Sequence, residues 1–203
     1  ARIQGHIIVT NGDVPLISSE FFRSLTEERE RTGASAVVAT MILEKPKAYG
    51  RIKRDNEGNI IEIVEMRDCS PQELKIQEVN TGTYCFDSSL LKKFIPMLKT
   101  DNAQGELYLT DIIRYMIEGD YKVRCLVTQD PEEFLGINDP ADLMVVEQGL
   151  GSRIRQKHLS NGVIIQEPST VRIEPHVEIG PRTIIRPGVI LEGYSRIGSD
   201  CVV

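Results

Sequence analysis

Residues 171–203 read VRIEPHVEIGPRTIIRPGVILEGYSRIGSDCVV, and one period runs through the whole stretch. Ile173, Ile179, Ile185, Leu191, Ile197 and Val203 recur every six residues. Two positions before each stands Val171, Val177, Thr183, Val189, Ser195 or Cys201, all small or β-branched. Gly180 and Gly198 follow the aliphatic residue in two of the hexads. One aliphatic side chain per six residues is the pattern of a parallel β-helix, in which short strands stack and the six-spaced side chains fill the interior. The competing reading, an ordinary β meander, has no strict spacing to offer.

Upstream, to about residue 158, the pattern is different. Apolar strand-like runs alternate with helical ones, which predicts an α/β sheet. His6-Ile7-Ile8-Val9-Thr10 reads as a short buried strand followed by a turn at Asn11-Gly12-Asp13. Ser18 or Ser19 is placed to cap a helix carrying Phe21, Phe22 and Leu25 on one face. Ala36 to Ile42 reads as another buried strand, and the runs 51–54 and 60–64 flank Asp55-Asn56-Glu57-Gly58, a hairpin signal. Thr83 to Phe86 and Val123 to Val127 are further strands, and 88–98, 110–118 and 140–157 read as helices. Gly149-Leu150-Gly151, the only Gly-x-Gly, has no third glycine and reads as a break or kink in the last helix rather than a phosphate cradle.

The balance of 24 Lys+Arg against 30 Asp+Glu leaves a net charge of −6. No basic stripe stands out, which argues against binding nucleic acid through its phosphates. No apolar run approaches the roughly 18 residues of a membrane span, and Ala1-Arg2-Ile3-Gln4-Gly5-His6 has no signal-peptide shape. Four scattered cysteines (Cys69, Cys85, Cys125, Cys201) and three dispersed histidines give no zinc spacing, so reduced thiols and a cytoplasmic location are expected. No glycine-rich phosphate loop precedes residue 13, and the hexads stop at Val203. The stretch is therefore expected to be the middle of a longer protein.

Asp13 follows directly on the first strand. In open α/β sheets ligands bind outside the carboxyl ends of strands, so its carboxylate is a candidate for Mg²⁺, which is commonly held by one or two carboxylates plus substrate phosphates. The alternative is an Asp that merely completes a turn before Pro15.

Further along come Tyr49-Gly50-Arg51-Ile52, Ile63-Val64-Glu65, Glu78-Val79-Asn80-Thr81-Gly82, Asn102-Ala103-Gln104-Gly105-Glu106, Tyr108-Leu109-Thr110-Asp111-Ile112-Ile113 and Gly136-Ile137-Asn138-Asp139. With Asn11-Gly12-Asp13-Val14-Pro15-Leu16-Ile17 they stand in the order of, and the chain closely resembles, the bacterial bifunctional N-acetylglucosamine-1-phosphate uridylyltransferase / glucosamine-1-phosphate acetyltransferase family. The resemblance covers nearly the whole chain, and the hexads fall where that family begins a left-handed β-helix. It implies a partial Rossmann-like nucleotidyltransferase domain over 1–140, a linker helix over 141–161 and the first β-helix coils over 162–203.

The resemblance also assigns roles. It implies Asp13 and Asn138 as Mg²⁺ ligands, a donor pair of carboxylate and amide oxygen that suits a hard cation. It places Asn11, Gly12 and Asp13 against the nucleotide sugar, and Gly50, Glu65 and Asn80 against the sugar and its N-acetyl group. Tyr108 and Thr110 belong to a motif lining the same pocket. Read without the resemblance, Glu65 is a solvated strand end, Asn80 a turn residue and Thr110 the N-cap of the following helix.

The implied reaction is Mg²⁺-dependent transfer of UMP from UTP to N-acetylglucosamine 1-phosphate, giving UDP-N-acetylglucosamine for peptidoglycan and lipopolysaccharide precursors. The implied assembly is a homotrimer through the β-helix. Two positions depart from the family: it has Tyr where this chain has Asn11, and two tyrosines at Leu107-Tyr108. The family's glycine-rich phosphate loop and its lysine are not in this stretch. Neither are the acetyltransferase histidine and acetyl-CoA contacts, so nothing here supports acetyl transfer. Two alternatives stay open, another hexapeptide-bearing sugar nucleotidyltransferase and a non-catalytic assembly or regulatory relative.

Overall fold

The computed structural model describes residues 5–203. The reading of the first residues as lacking a signal-peptide shape falls largely on Ala1–Gln4, outside the described residues. The chain divides into two compact units, one ending at Phe134 and one running from Leu135 to Val203. Among the described residues no helix is long and apolar enough to cross a membrane.

The first unit runs β1 (His6–Val9), α1 (Ser19–Thr32), β2 (Ala36–Ile42), β3 (Arg51–Arg54), β4 (Ile60–Val64), β5 (Glu78–Asp87), α2 (Ser88–Phe94), α3 (Asp111–Glu118) and β6 (Val123–Val127). Its sheet has the order β4-β3-β5-β2-β6, with β1 also paired to β5. The pairings are antiparallel except for β2 with β6. β2 is apolar in nearly every position because both of its faces are covered. Val37, Ala39 and Met41 join Leu25, Cys85 and Phe134 in one core. Ala36 and Val38 join Phe86, Leu91, Ile112, Ile113 and Met116 in the other. Helix α1 is capped at its start by Ser18, whose hydroxyl accepts from the Phe21 amide at 3.1 Å, and at its end by Gly33 with φ 64°. The 51–64 segment is a hairpin, its turn closed by the Asp55 carboxylate on the Glu57 and Asn59 amides.

β5 is the middle strand of the sheet and pairs with β1, β2 and β3. It begins five residues before the predicted strand at Thr83, so Asn80 lies inside a strand and not in a turn. Its register with β2 slips: Val38 faces Tyr84, but Thr40 faces Asn80. Two steps along β2 thus span four along β5, and Thr81-Gly82-Thr83 form a bulge. On the opposite edge, β1 pairs with residues 84–87 and β3 meets β5 at Val79. The bulge therefore sits in the gap between the point where β3 meets β5 and the stretch that pairs with β1.

The second unit opens with α4 (Pro140–Ser160), followed by six two-residue strands: β7 (Ile164–Ile165), β8 (Arg172–Ile173), β9 (Glu178–Ile179), β10 (Ile184–Ile185), β11 (Ile190–Leu191) and β12 (Arg196–Ile197). They pair in parallel as β7 with β10, β8 with β11 and β9 with β12. The hexad side chains Ile173, Ile179 and Ile185 are buried with Val171 and Val177 in one core, and Leu191 and Ile197 pack against it. The sixth, Val203, is 38% exposed. Close stacking explains Gly180, where a Cβ would stand 2.5 Å from the Ser199 nitrogen.

Of the break or kink expected at Gly149-Leu150-Gly151, the break does not occur: α4 is continuous. Each glycine costs a helix interior about 1 kcal/mol relative to alanine. Against that stand the Asp139 cap on the Ala141 and Asp142 amides, Pro140 at the first position, Ile154 packed on the hexad core, and Arg155 bonded to the Val171 carbonyl.

Candidate functional site

The turn after β1 is anchored by the buried side chains of Val14 and Leu16, while Asn11, Gly12 and Asp13 are exposed. Thr10 reaches the bulge, its hydroxyl 2.8 Å from that of Thr83. Asn11 lies over Gly82, whose φ is 76°; a Cβ at Gly82 would collide with the Asn11 amide. Glycine there satisfies both the left-handed backbone and the close approach. The structure thus seats Asn11 on β5 beside Asn80.

Around Asn80 the other predicted residues converge. Its backbone amide donates to the Gly50 carbonyl at 2.9 Å. A Cβ at Gly50 would stand 3.3 Å from Glu65 Oε2, so Gly50 leaves room for that carboxylate. The other carboxylate oxygen accepts from the Thr110 hydroxyl at 3.2 Å. Thr110 precedes α3 as expected, but its hydroxyl does not cap the helix; it is spent on Glu65. Tyr108 accepts a hydrogen bond from Gln104 at 2.8 Å within the 102–108 loop.

Burial pushes the Glu65 carboxyl above the ordinary carboxylate range, the Thr110 bond opposes this, and the Asp68 and Asp111 charges add to it. Tyr108 is also raised, by desolvation first and by the carboxylates of Asp68, Glu65 and Glu106 after that, against the Gln104 bond. Such a surface repels a bare phosphate and suits neutral hydroxyl donors, which a carboxylate accepts from.

Two participants were not singled out from the sequence. Tyr84, buried under Asn80, accepts from its amide nitrogen at 2.7 Å. Asp68 accepts from the Ala103 amide at 3.0 Å and so ties the segment after Glu65 to the loop carrying Tyr108. The signal for Tyr84 was its even spacing from Asn80 along one strand, which puts two side chains on one face.

Asn138 belongs to the second unit and Asp13 to the first. Both are exposed. The Asn138 backbone and side-chain nitrogens donate to Asp142 at 3.0 and 3.2 Å, which leaves its amide oxygen as the end presented to a ligand. Among the described residues no three His, Cys, Asp or Glu side chains gather as a metal cage. Each taken by itself, the Asp13 carboxylate and the Asn138 amide oxygen are oxygen donors of the kind a hard cation takes.

The model of the nucleotidyl transferase family matches residues 2–131. The bifunctional protein GlmU of Lactobacillus johnsonii is 40% identical over 202 residues, covering all of this chain and 44% of the relative. That of Bacillus velezensis is 39% identical over 200 residues, covering 98% of this chain and 44% of the relative. The chain thus spans less than half the length of these relatives. A solved protein described as a glucose-1-phosphate thymidylyltransferase from Bacillus anthracis, in complex with sucrose, is 26% identical. It superposes with a TM-score of 0.51, covering 70% of this chain and 52% of that one.

Proposed function

The chain belongs to the nucleotidyl transferase family, and on that premise we propose that it serves the transfer of UMP from UTP to N-acetylglucosamine 1-phosphate, with release of pyrophosphate. The observation that carries this reading is the convergence of Asn11, Gly50, Glu65, Asn80 and Thr110 around the bulge of β5, the central strand of a Rossmann-like α/β sheet. The identity of about 40% to bifunctional GlmU proteins along the whole chain supports the same substrates.

In this reading the sugar lies against the bulge. Glu65 accepts from sugar hydroxyls, with Thr110 holding the carboxylate in place. Asn80 meets the N-acetyl group, and Gly50 lets the sugar approach the backbone. The phosphate keeps away from the acidic surface and lies toward Asp13. A phosphate oxygen of the sugar phosphate attacks the α-phosphorus of UTP, and the bond to pyrophosphate breaks. No covalent enzyme intermediate is required, so the chain contributes positioning and charge placement. Asp13 would hold Mg²⁺ together with phosphate oxygens, and the ion when bound neutralises charge on the reacting phosphates.

The test is direct. Full-length protein with Mg²⁺, UTP and N-acetylglucosamine 1-phosphate should release pyrophosphate and form UDP-N-acetylglucosamine. A preference for dTTP with another sugar phosphate would favour the second reading, which the likeness to the thymidylyltransferase supports. Binding of neither sugar nucleotide nor Mg²⁺ would overturn both.

Further proposals concern the second unit. The parallel strand pairs and the buried hexad side chains support the first coils of a left-handed β-helix over 162–203, entered through the helix that links it to the nucleotidyltransferase domain. Ile164, Ile190, Tyr194 and Val202 are exposed on these coils, which supports assembly as a homotrimer through them. Sedimentation of the full-length protein should give a trimer, and a stable monomer at micromolar concentration would count against it. Four free cysteines agree with a cytoplasmic location.

A further inference from the structure

We infer that Tyr84 is a positioning residue of the sugar subsite, acting by holding the rotamer of Asn80, whose amide polarity the Gly82 backbone sets. The inference rests on the sugar-phosphate reading above.

A carboxamide offers two N–H donors and two acceptor lobes, and either end can face a ligand unless something sets its direction. At Asn80 both ends are engaged from within the protein. The nitrogen donates to the Tyr84 hydroxyl oxygen at 2.7 Å, and the oxygen accepts from the Gly82 amide at 3.1 Å. Rotating the amide by half a turn would point N–H at N–H at Gly82. The Gly82 amide therefore sets which end is which, and Tyr84 holds the side chain in that rotamer. One N–H and one acceptor lobe remain for a ligand, in a fixed arrangement.

The anchor itself is rigid. Tyr84 is 3% exposed, and its ring stacks on Phe86 with centroids 5.4 Å apart. Burial keeps its phenol neutral well above the ordinary range. Gly82 is held in turn, because its position beneath Asn11 admits no Cβ. The bulge thus presents a carboxamide whose direction is set before any ligand arrives, which lowers the ordering cost of binding.

Tyr84→Phe removes one oxygen and leaves the ring in place, so it is the variant to make. The Gly82 backbone amide should exchange with deuterium faster, by about tenfold, the equivalent of one net hydrogen bond. In the full-length protein the KM for the sugar phosphate should rise about five- to tenfold, while kcat and the KM for UTP stay within about twofold. In an Asn80→Ala background the same change should add nothing, because Tyr84 acts through Asn80.

Unchanged Gly82 exchange, or an unchanged sugar-phosphate KM, would overturn the inference. So would a further KM rise of similar size in the Asn80→Ala background, which would mark Tyr84 as structural. A wild-type protein that forms no sugar nucleotide removes the functional reading, and this inference with it. A wild-type protein that is active, paired with an indifferent Tyr84→Phe, removes this inference alone.

Discussion

Asp13→Ala in the full-length protein is expected to lower turnover on the order of 10³-fold or more while leaving the melting temperature nearly unchanged. Both halves of the expectation come from where the residue sits. Val14 and Leu16 are buried and fix the turn after β1, whereas Asp13 is exposed. Removing an exposed side chain of this kind changes stability by no more than about 0.5 kcal/mol. The chemistry is affected far more. The proposed cation is held by the Asp13 carboxylate together with phosphate oxygens. Losing the one protein carboxylate then forfeits several kcal/mol of charge stabilisation on the reacting phosphates.

The check is pyrophosphate release across a Mg²⁺ titration, with the melting temperature measured in parallel. Loss of turnover together with loss of fold would mean that Asp13 supports the turn. Turnover within a few-fold of wild type would remove it from the metal site. Asp13→Asn separates charge from coordination, since it keeps an oxygen donor and loses the negative charge. It is expected to fall between the wild type and the alanine variant.

The parts of the fold that were legible are those whose signal is local or periodic. The hexads announce a shared core because one residue in six must be aliphatic whatever its neighbours are, and Ile173, Ile179 and Ile185 are buried together. β2 was legible because burial on both faces leaves a continuous apolar run. What escaped depends on distant partners. The slip between Val38–Tyr84 and Thr40–Asn80 has no local signature, so Asn80 read as a turn residue when it is a strand residue beside a bulge. Thr110 has the composition of a cap, and only the fold reveals that its hydroxyl meets a carboxylate 45 positions earlier in the chain. Gly149 and Gly151 read as a break because propensity is local, while the packing that carries α4 through them comes from elsewhere in the second unit.

Glu65→Gln is expected to make the protein more stable near neutral pH and at the same time a poorer enzyme. The carboxyl is largely buried, and desolvation raises its pKa. Its folded pKa therefore lies above its unfolded one, so between the two the native state binds more protons and stability falls as pH rises. Above the folded pKa the cost is constant, and below the ordinary carboxylate range it vanishes. Glutamine keeps the shape and an oxygen to accept from Thr110, but carries no charge. The melting temperatures of variant and wild type should coincide in acid and separate as pH rises, with the variant higher.

Turnover should move the other way. A hydrogen bond to a charged group is worth about 1.5–3 kcal/mol, so weaker acceptance from sugar hydroxyls should lower kcat/KM by about 10- to 100-fold. A residue whose ionised form costs stability and is kept for contact with substrate gives both results together. Higher stability with intact activity would leave the burial argument standing and take Glu65 out of the sugar site. A variant less stable than wild type by the same margin at every pH would show that the carboxylate is held for structure. Assigning Glu65 to the sugar requires the two curves to diverge in opposite directions.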